Sequence, residues 1–266
     1  MNADAHFKAG NLKDAIAAAL DDVKKAPTDA GKRGFLAELL CFAGDLERAD
    51  KQLDALGHQD PQLTAGIALF RQLIRAEQAR QQFFSEGRLP EFLNNQVTPD
   101  LRKRMEAALL VREKKAAEAK TLLEAADGER PKASGTSNGQ AFEDIRDLDD
   151  LTSSFFEILT STGKYYWIPI ANVESVEFRA PNRPRDLLWR PANMSVRGGP
   201  EGEVFLPVLY AGSAASDDDQ VRLGRVTQWL EDPAGPVRGL GQREFLVGED
   251  ARSIMELQTL EIGVRG

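Results

Sequence analysis

The sequence predicts an α+β fold, in which an all-α domain of helical hairpins is followed by a mostly antiparallel β domain with short helices. Residues 1–164 contain no Tyr or Trp, and all of these residues lie in the remaining part of the chain. Ala, Leu, Glu, Lys and Gln dominate residues 1–127, whereas Val, Ile, aromatic residues and turn formers become frequent after residue 139. Helix formers and strand formers are therefore segregated along the chain.

The length also favours two domains, because 266 residues exceed the usual domain size of about 100–150 residues. Residues 128–139 are rich in Gly, Ser, Pro and charged residues and show no apolar periodicity. We therefore predict a helical domain at 1–127, a linker at 128–139 and a β domain at 140–266.

The first half contains a repeat. The strings Gly10-Asn-Leu-Lys-Asp-Ala15 and Gly44-Asp-Leu-Glu-Arg-Ala49 are offset by 34 residues, as are Pro27 and Pro61. A period of 34 residues is typical of helical hairpins of the tetratricopeptide (TPR) type, in which Gly forms the turn and Pro ends the second helix. The pattern predicts a short TPR-like solenoid that binds another protein or supports the neighbouring domain.

Apolar residues at helical spacing follow the first repeat. Phe35, Leu39 and Phe42 are candidate partner-binding residues if one face of their helix remains open, and core residues otherwise. A longer helix is expected at about 62–84, a loop with a short turn at 87–99, and a further hairpin that is interrupted at 112–115.

The second half begins with a predicted β-hairpin. Residues 155–160 and 164–170 are strand-like and flank a turn near Gly163. Further strands are expected at 175–178, 203–210, 221–229, 243–247 and 254–262. A helical turn is expected at 183–191, and the glycines of 239–242 are interpreted as turn or bulge positions.

Aromatic residues in this half supply the other candidates for partner binding. Tyr165 and Trp167 share one face of the predicted strand and Tyr166 lies on the other, which suits core or interdomain packing. An exposed aromatic patch that contacts a partner is the alternative. Asp186 and Trp189 are further candidates, because Asp186 could pair with Arg185 beneath Trp189, although an ordinary structural pair fits the sequence as well.

Composition and motifs argue against several classes of function. The net charge of −8 and the absence of a basic stripe disfavour nucleic acid as a partner. No apolar run is long enough for a membrane span and no secretory signal is present, so a cytoplasmic protein is expected. Cys41 is the only cysteine, which fits a reducing compartment.

Few residues could carry catalysis. Both histidines, His6 and His58, lie in the helical half, so the β half cannot form a Ser-His pair or a His-ligated zinc site by itself. No phosphate loop, dinucleotide fingerprint or EF-hand spacing occurs, and no cofactor or metal is predicted. A carboxylate-dependent hydrolase that uses Asp144, Asp147 or Asp149 is one alternative function. A structural scaffold that dimerises through the β domain is another.

Distinctive strings spread over nearly the whole chain carry a family resemblance. Those of the first half are Gly10-Asn-Leu-Lys-Asp-Ala15 and the segment 35–54. Those of the second half are 139–142, 147–149, Gly163-Lys-Tyr-Tyr-Trp-Ile-Pro169, Arg185-Asp-Leu-Leu-Trp-Arg-Pro-Ala192, 206–210 and Gly239-Leu-Gly-Gln-Arg243. With these strings the sequence resembles the ImpE family, also called SciE or TagJ, of accessory proteins from bacterial type VI secretion clusters.

The resemblance implies a non-enzymatic adaptor. Such proteins are expected to bind a helical segment of the small subunit of the contractile sheath and, in some systems, the AAA+ ATPase that recycles the sheath. One departure is visible, because this chain has Asp150-Leu-Thr-Ser-Ser154 where many members continue their acidic stretch differently. The resemblance leaves the oligomeric state open.

Overall fold

The fold is α+β, as predicted from the sequence. The computed structural model describes residues 1–57, 63–230 and 232–263. His58, the predicted helix end at Pro61 and the predicted helix start at Gln62 lie outside the described residues.

Helices occupy the first half of the chain, and successive helices pack against one another. Gly10 and Gly44 form the turns after α1 and α3, with φ of +85° and +74°, in the left-handed region that favours glycine. Their equivalent positions agree with the repeat offset seen in the sequence. The helices are α1 Ala3–Ala9, α2 Leu12–Lys25, α3 Ala30–Phe42, α4 Leu46–Gly57, α5 Thr64–Glu86, α6 Pro99–Arg112 and α7 Ala116–Glu129.

Strands and one short helix occupy the second half. In the described part of the chain, an antiparallel sheet has the strand order β2-β1-β13-β6-β7-β8-β4-β5, and smaller sheets have the orders β12-β11-β3 and β10-β9. The elements are β1 Ser134–Ser137, β2 Gln140–Phe142, β3 Ile145–Asp147, β4 Phe155–Leu159, β5 Tyr165–Pro169, β6 Val173–Phe178, β7 Trp189–Val196, β8 Glu201–Pro207, α8 Asp219–Arg222, β9 Thr227–Leu230, β10 Arg238–Gly241, β11 Glu244–Val247, β12 Asp250–Ser253 and β13 Thr259–Gly263.

The predicted hairpin is confirmed. β4 and β5 pair antiparallel from Phe155 opposite Pro169 to Leu159 opposite Tyr165. Gly163 lies in the connecting turn with φ of +79°, as a tight turn requires. The hairpin forms one end of the large sheet.

Two strands predicted for the second half have wrong bounds. Residues 221–229 are not one strand, because Asp218 accepts a hydrogen bond from Gln220 N and caps α8, so the strand begins only at Thr227. Gly239 and Gly241, interpreted from the sequence as turn or bulge positions, both lie in β10, where Gly241 has φ of +85°. The strand expected at 254–262 begins at Thr259.

Other elements have bounds that differ from the predicted ones. The helical turn expected at 183–191 is a 3₁₀ helix, Pro184–Leu187, and β7 begins directly after it at Trp189. Within the stretch predicted as a linker, α7 continues to Glu129 and β1 pairs with β13. The sheet therefore recruits residues whose composition alone indicates a loop.

Helix α5 lies across the hairpin and joins the two halves. Trp167 of β5 stacks on Phe155 of β4, with ring centroids 3.9 Å apart, and meets Phe83 of α5 edge to face at 4.7 Å. Glu91, in the loop after α5, donates its backbone N–H to Tyr165 O and accepts from Trp167 N, so it lies along the outer edge of β5. Within the described residues, every helix is too short or too polar to span a bilayer.

Candidate functional site

A cavity of about 500 Å³ lies where the helical half meets the β half. It is bounded by the end of α3, by one face of α5, by the start of β7 and by the loop after β8. Its lining combines apolar residues, four of them aromatic, with a few polar groups, as is typical of binding sites. The aromatic lining residues are Phe42, Phe84, Trp189 and Tyr210, and the charged ones are Glu77 and Arg80.

The face of α5 that borders the cavity carries residues spaced by three and four positions. Glu77, Arg80 and Phe84 follow this spacing, which places them on one side of the helix. Glu77 and Arg80 are both more than nine-tenths buried. Buried charges of this kind require partners, and the β half supplies them.

Arg80 of α5 and Glu157 of β4 form a buried bidentate ion pair. Arg80 Nε donates to Glu157 Oε1 and Arg80 Nη2 donates to Glu157 Oε2, both at 2.9 Å. Arg80 Nη2 also donates to Leu209 O at 3.0 Å, and Nη1 donates to Glu77 Oε1 at 3.2 Å. One guanidinium therefore connects helix α5, strand β4 of the hairpin and the loop beside the cavity.

The network continues into the β half from Glu157. Arg243 Nη2 and the hydroxyl of Tyr165 both donate to Glu157. Arg243 Nη1 donates to Asp147 Oδ2 at 2.7 Å, and the Tyr210 hydroxyl donates to Asp147 Oδ1 at 2.8 Å. Among the residues that the structure describes, the linked charges are three carboxylates and two guanidiniums.

Burial and neighbouring charges shift the pKa values of the three carboxylates in different directions. Burial alone would raise the pKa of Glu157, but Arg80 and Arg243 outweigh it and lower this pKa to about 2. Burial raises the pKa of Asp147 to about 6 against the opposing effect of Arg243. Burial likewise raises the pKa of Glu77, because Arg80 compensates it only in part. The central carboxylate is thus held ionised, while the outer two resist ionisation.

A second set of polar contacts joins the halves near the first repeat. Asp219 Oδ2, at the start of α8, accepts hydrogen bonds from Leu12 N at 2.7 Å and Lys13 N at 3.3 Å. Arg225 Nη2 donates to Phe7 O at 2.6 Å. Gly10 approaches so closely that a Cβ there would lie 2.4 Å from the side-chain nitrogen of Gln220. The turn of the first repeat therefore docks on the β half.

The candidates from the helical half are mostly buried. Leu39 and Phe42 have no exposed area. They are therefore core residues, which is the alternative that the sequence left for a helix without an open face. Phe42 also contributes to the wall of the cavity. Phe35 is half-buried and packs edge to face on Phe7 at 5.9 Å.

The aromatic candidates of the β half lie between the two halves. Tyr165 and Trp167 are buried on the α5 side of the hairpin, and Tyr166 is half-buried on the other side. Trp167 Nε1 donates to the Tyr165 hydroxyl at 2.6 Å. Trp189 is buried at the cavity, where its Nε1 donates to Glu77 Oε2 at 3.2 Å.

Asp186 has a local structural role. Its carboxylate accepts from the backbone N–H groups of Asn182 and Arg183 at 2.9 and 3.1 Å and caps the 3₁₀ helix. The guanidinium of Arg185 lies over the ring of Phe70 at 4.8 Å instead of pairing with Asp186. Glu38 of α3 faces Arg185, and burial raises its pKa to about 7.

The carboxylates of the alternative hydrolase interpretation are each tied to structural partners. Asp144 pairs with Arg130, Asp147 with Arg243, and Asp149 with Arg238. Asp149 also accepts from Leu151 N and Gly239 N. None of the three borders the cavity. Among the described residues no group of three or more His, Cys, Asp and Glu side chains is arranged to hold a metal ion.

The network residues Glu77, Arg80, Glu157 and Arg243 were not identified from the sequence. One signal was present, because Glu157 is the single charged residue in the apolar strand Phe155–Leu159. A charge at such a position requires a buried partner. The sequence pattern does not say which cation supplies it.

Comparisons with known proteins find similar proteins that together match nearly the whole chain. The model of the family described as ImpE protein matches residues 139–261. The type VI secretion system accessory component TagJ of Pseudomonas aeruginosa is 31% identical over 261 residues, which cover 98% of this chain and 91% of that protein. A crystal structure of a Vibrio parahaemolyticus protein superposes with a TM-score of 0.92 at 28% identity, and the match covers 99% of this chain and 98% of the other.

Proposed function

Because the chain belongs to the ImpE family, we propose that it is a non-catalytic accessory component of a type VI secretion system and acts as an adaptor for a contractile-sheath subunit. The observation that carries the proposal is the match to TagJ of Pseudomonas aeruginosa, which spans 98% of the chain. That relative is an accessory component of a type VI secretion system. The proposal includes a cytoplasmic location, because the adaptor would act on the sheath there.

The proposed partner is a helical segment of the small sheath subunit. The cavity between the halves supports this proposal, because it is open to solvent and combines aromatic walls with buried polar groups. The buried Arg80–Glu157 pair and the cap from Asp219 fix the halves relative to each other. A preformed cavity lowers the entropic cost of binding a segment from another protein.

The second part of the proposal is a link to the sheath-recycling ATPase. Val226, Leu230 and Val237, around the β9–β10 hairpin, expose apolar side chains on the β half. Exposed apolar residues on one hairpin and its flanks support a second contact surface. An adaptor with two surfaces can bind a sheath subunit and an ATPase together.

The state of the carboxylates supports a non-catalytic role. Asp144, Asp147 and Asp149 are all engaged in ion pairs, and Asp147 and Asp149 have almost no exposed area. A general acid or base must reach its substrate directly or through one water molecule. We therefore favour the adaptor over the hydrolase that the same residues suggested.

The test is co-purification of the full chain with the small sheath subunit of the same gene cluster, followed by titration calorimetry. We expect a complex of micromolar affinity or tighter, equivalent to about −8 kcal/mol. The large sheath subunit alone serves as the control. If no complex forms and light scattering shows a stable dimer of this chain, the proposal fails in favour of the dimerising scaffold.

A further inference from the structure

We propose that the cavity between the halves binds a basic side chain, arginine or lysine, that the protein partner presents with apolar neighbours. This inference rests on the proposed function, since it specifies the chemistry of the partner segment. Three observations carry it: the charge balance of the network, the position of Glu77, and the aromatic walls.

The charge balance leaves one carboxylate in excess. Glu157 accepts hydrogen bonds from Nε and Nη2 of Arg80 and from Nη2 of Arg243. Arg243 provides its other terminal nitrogen to Asp147. When all three carboxylates are ionised, only two guanidiniums face them, and the described network then carries one surplus negative charge. A buried surplus charge is costly, so an added cation is stabilised there.

Glu77 is the carboxylate of the network that borders the cavity. Its side chain is 11% exposed, whereas the side chain of Glu157 is 1% exposed. Each Glu77 oxygen accepts one bond of 3.2 Å, from Arg80 Nη1 and from Trp189 Nε1. A carboxylate has about four acceptor positions, so Glu77 retains capacity for a further donor from the cavity.

The walls suit a cation with an apolar stem. Phe84, Trp189 and Tyr210 line the same cavity as Glu77, and Trp189 contacts Glu77 directly. A guanidinium or ammonium group is attracted to aromatic faces, and the methylene stem of Arg or Lys gains from apolar contact. A volume of about 500 Å³ accommodates such a side chain together with apolar neighbours. An anionic segment would meet the surplus negative charge and be repelled.

The first experiment uses a capped Leu-Arg-Leu peptide and the same peptide with citrulline, the neutral analogue of arginine. The full chain is labelled with ¹⁵N, and the Trp189 indole N–H is followed because it donates to Glu77. Trp189→Phe assigns that resonance among the three tryptophans. We expect the arginine peptide to shift the Trp189 resonance at millimolar concentration and the citrulline peptide to bind at least tenfold more weakly.

Two variants locate the binding. Glu77→Gln keeps the shape of the side chain and removes its charge, so it should lower the affinity for the arginine peptide at least tenfold. Ser85→Trp, at an exposed position on the cavity rim, should block access, and Ala68→Trp, exposed on the same helix outside the cavity, is its control. Equal binding of the citrulline peptide, or full affinity in both Glu77→Gln and Ser85→Trp, would overturn the proposal.

The partner experiment separates this inference from the proposed function. The small sheath subunit is titrated into the wild-type chain, Glu77→Gln, Ser85→Trp and Ala68→Trp, and we expect loss of affinity in the first two variants only. If the subunit binds all four chains equally, the adaptor function stands and the cavity site fails. If the subunit binds none but the arginine peptide binds the wild type, the adaptor function fails and the cation site stands. Ethylguanidinium that binds as tightly as the peptide would indicate a free small cation and overturn the assignment to a partner segment.

Discussion

Asp219 caps the N-terminus of α2 from the opposite half of the protein, 207 residues away along the chain. Its carboxylate replaces the cap that Asn11 does not provide, because the side chain of Asn11 makes no capping hydrogen bond. The first repeat therefore completes its second helix only when the β half is in place. This contact is a structural reason to study the two halves as one molecule.

We expect Asp219→Ala to destabilise the protein by about 1 kcal/mol, because α2 loses a capping carboxylate. Hydrogen exchange should increase at the amides of Leu12 and Lys13, which donate to Asp219. Urea unfolding and exchange mass spectrometry measure both effects. Asp217→Ala, at an exposed position of the same loop, is the control and should leave both values near the wild type. Unchanged exchange in Asp219→Ala would show that the cap is not needed.

Breaking the buried Arg80–Glu157 pair should have a larger effect. We expect Arg80→Met to cost about 3–5 kcal/mol, because Glu157 keeps its charge in a buried site with one guanidinium fewer. The double variant Arg80→Met/Glu157→Leu should cost less than the sum of its single variants. Denaturant unfolding of a double-mutant cycle measures the difference.

The exposed pair Glu47–Lys51 is the control for this cycle. Its charged atoms lie 2.6 Å apart, but both side chains are more than half exposed. We expect Glu47→Gln to leave the free energy of unfolding near that of the wild type, because solvent screens the pair. Strict additivity of the Arg80 and Glu157 substitutions would contradict the coupled network.

Two neighbouring tyrosines should respond differently to loss of their hydroxyls. The Tyr165 hydroxyl donates to Glu157 and accepts from Trp167 Nε1, so Tyr165→Phe leaves the buried Trp167 N–H without its partner and removes one donor from Glu157. We expect a cost of about 1–3 kcal/mol. Tyr166→Phe, at a half-buried position, should stay within about 0.5 kcal/mol of the wild type. Urea unfolding of both variants is the measurement, and equal effects would show that the Tyr165 hydroxyl contributes no specific bond.

The stability should depend on pH through Glu38. Burial raises the folded-state pKa of Glu38 to about 7, above its value of about 4.3 in an unfolded chain. The folded state therefore holds a proton that the unfolded state has released. The corresponding stability is present below about pH 4 and is lost as the pH rises through about 7.

We therefore expect the wild type to lose more stability than Glu38→Gln between pH 5 and pH 8. Denaturant unfolding of both proteins at the two pH values measures this difference, and the raised pKa values of Glu77 and Asp147 affect both proteins alike. Glu47→Gln is the control and should retain the pH dependence of the wild type. Parallel curves for the wild type and Glu38→Gln would contradict the prediction.

Local patterns predicted the elements whose evidence lies within a few residues. The hairpin around Gly163 has strand-forming residues on both sides of a glycine turn, and the repeat turns at Gly10 and Gly44 share their neighbours. β7 was harder to predict, because Pro191 lies within it and proline usually indicates an edge or a loop. Here the strand is interior, with Pro191 opposite Phe205 of β8.

The site depends on contacts between distant residues, which composition and periodicity do not specify. Glu157 signals that a buried cation must exist, but its partners Arg80 and Arg243 lie 77 and 86 residues away. The sequence indicates that the large aromatic residues Tyr165, Trp167 and Trp189 pack in a core or contact a partner. The structure places them between the two halves. What the sequence could not show is that this junction also leaves a cavity with a carboxylate beside it.

The order in which a ribosome releases the chain gives the Arg80–Glu157 junction a further consequence. Helix α5 emerges before the strands that cover it, and Glu157 follows Arg80 after 77 residues, or roughly 4–15 s of translation. During that interval Arg80 lacks its main counter-ion and Phe83 lacks the Trp167 ring that it later packs against. The nascent helical half therefore exposes this face of α5 to solvent until β4 and β5 have been synthesised.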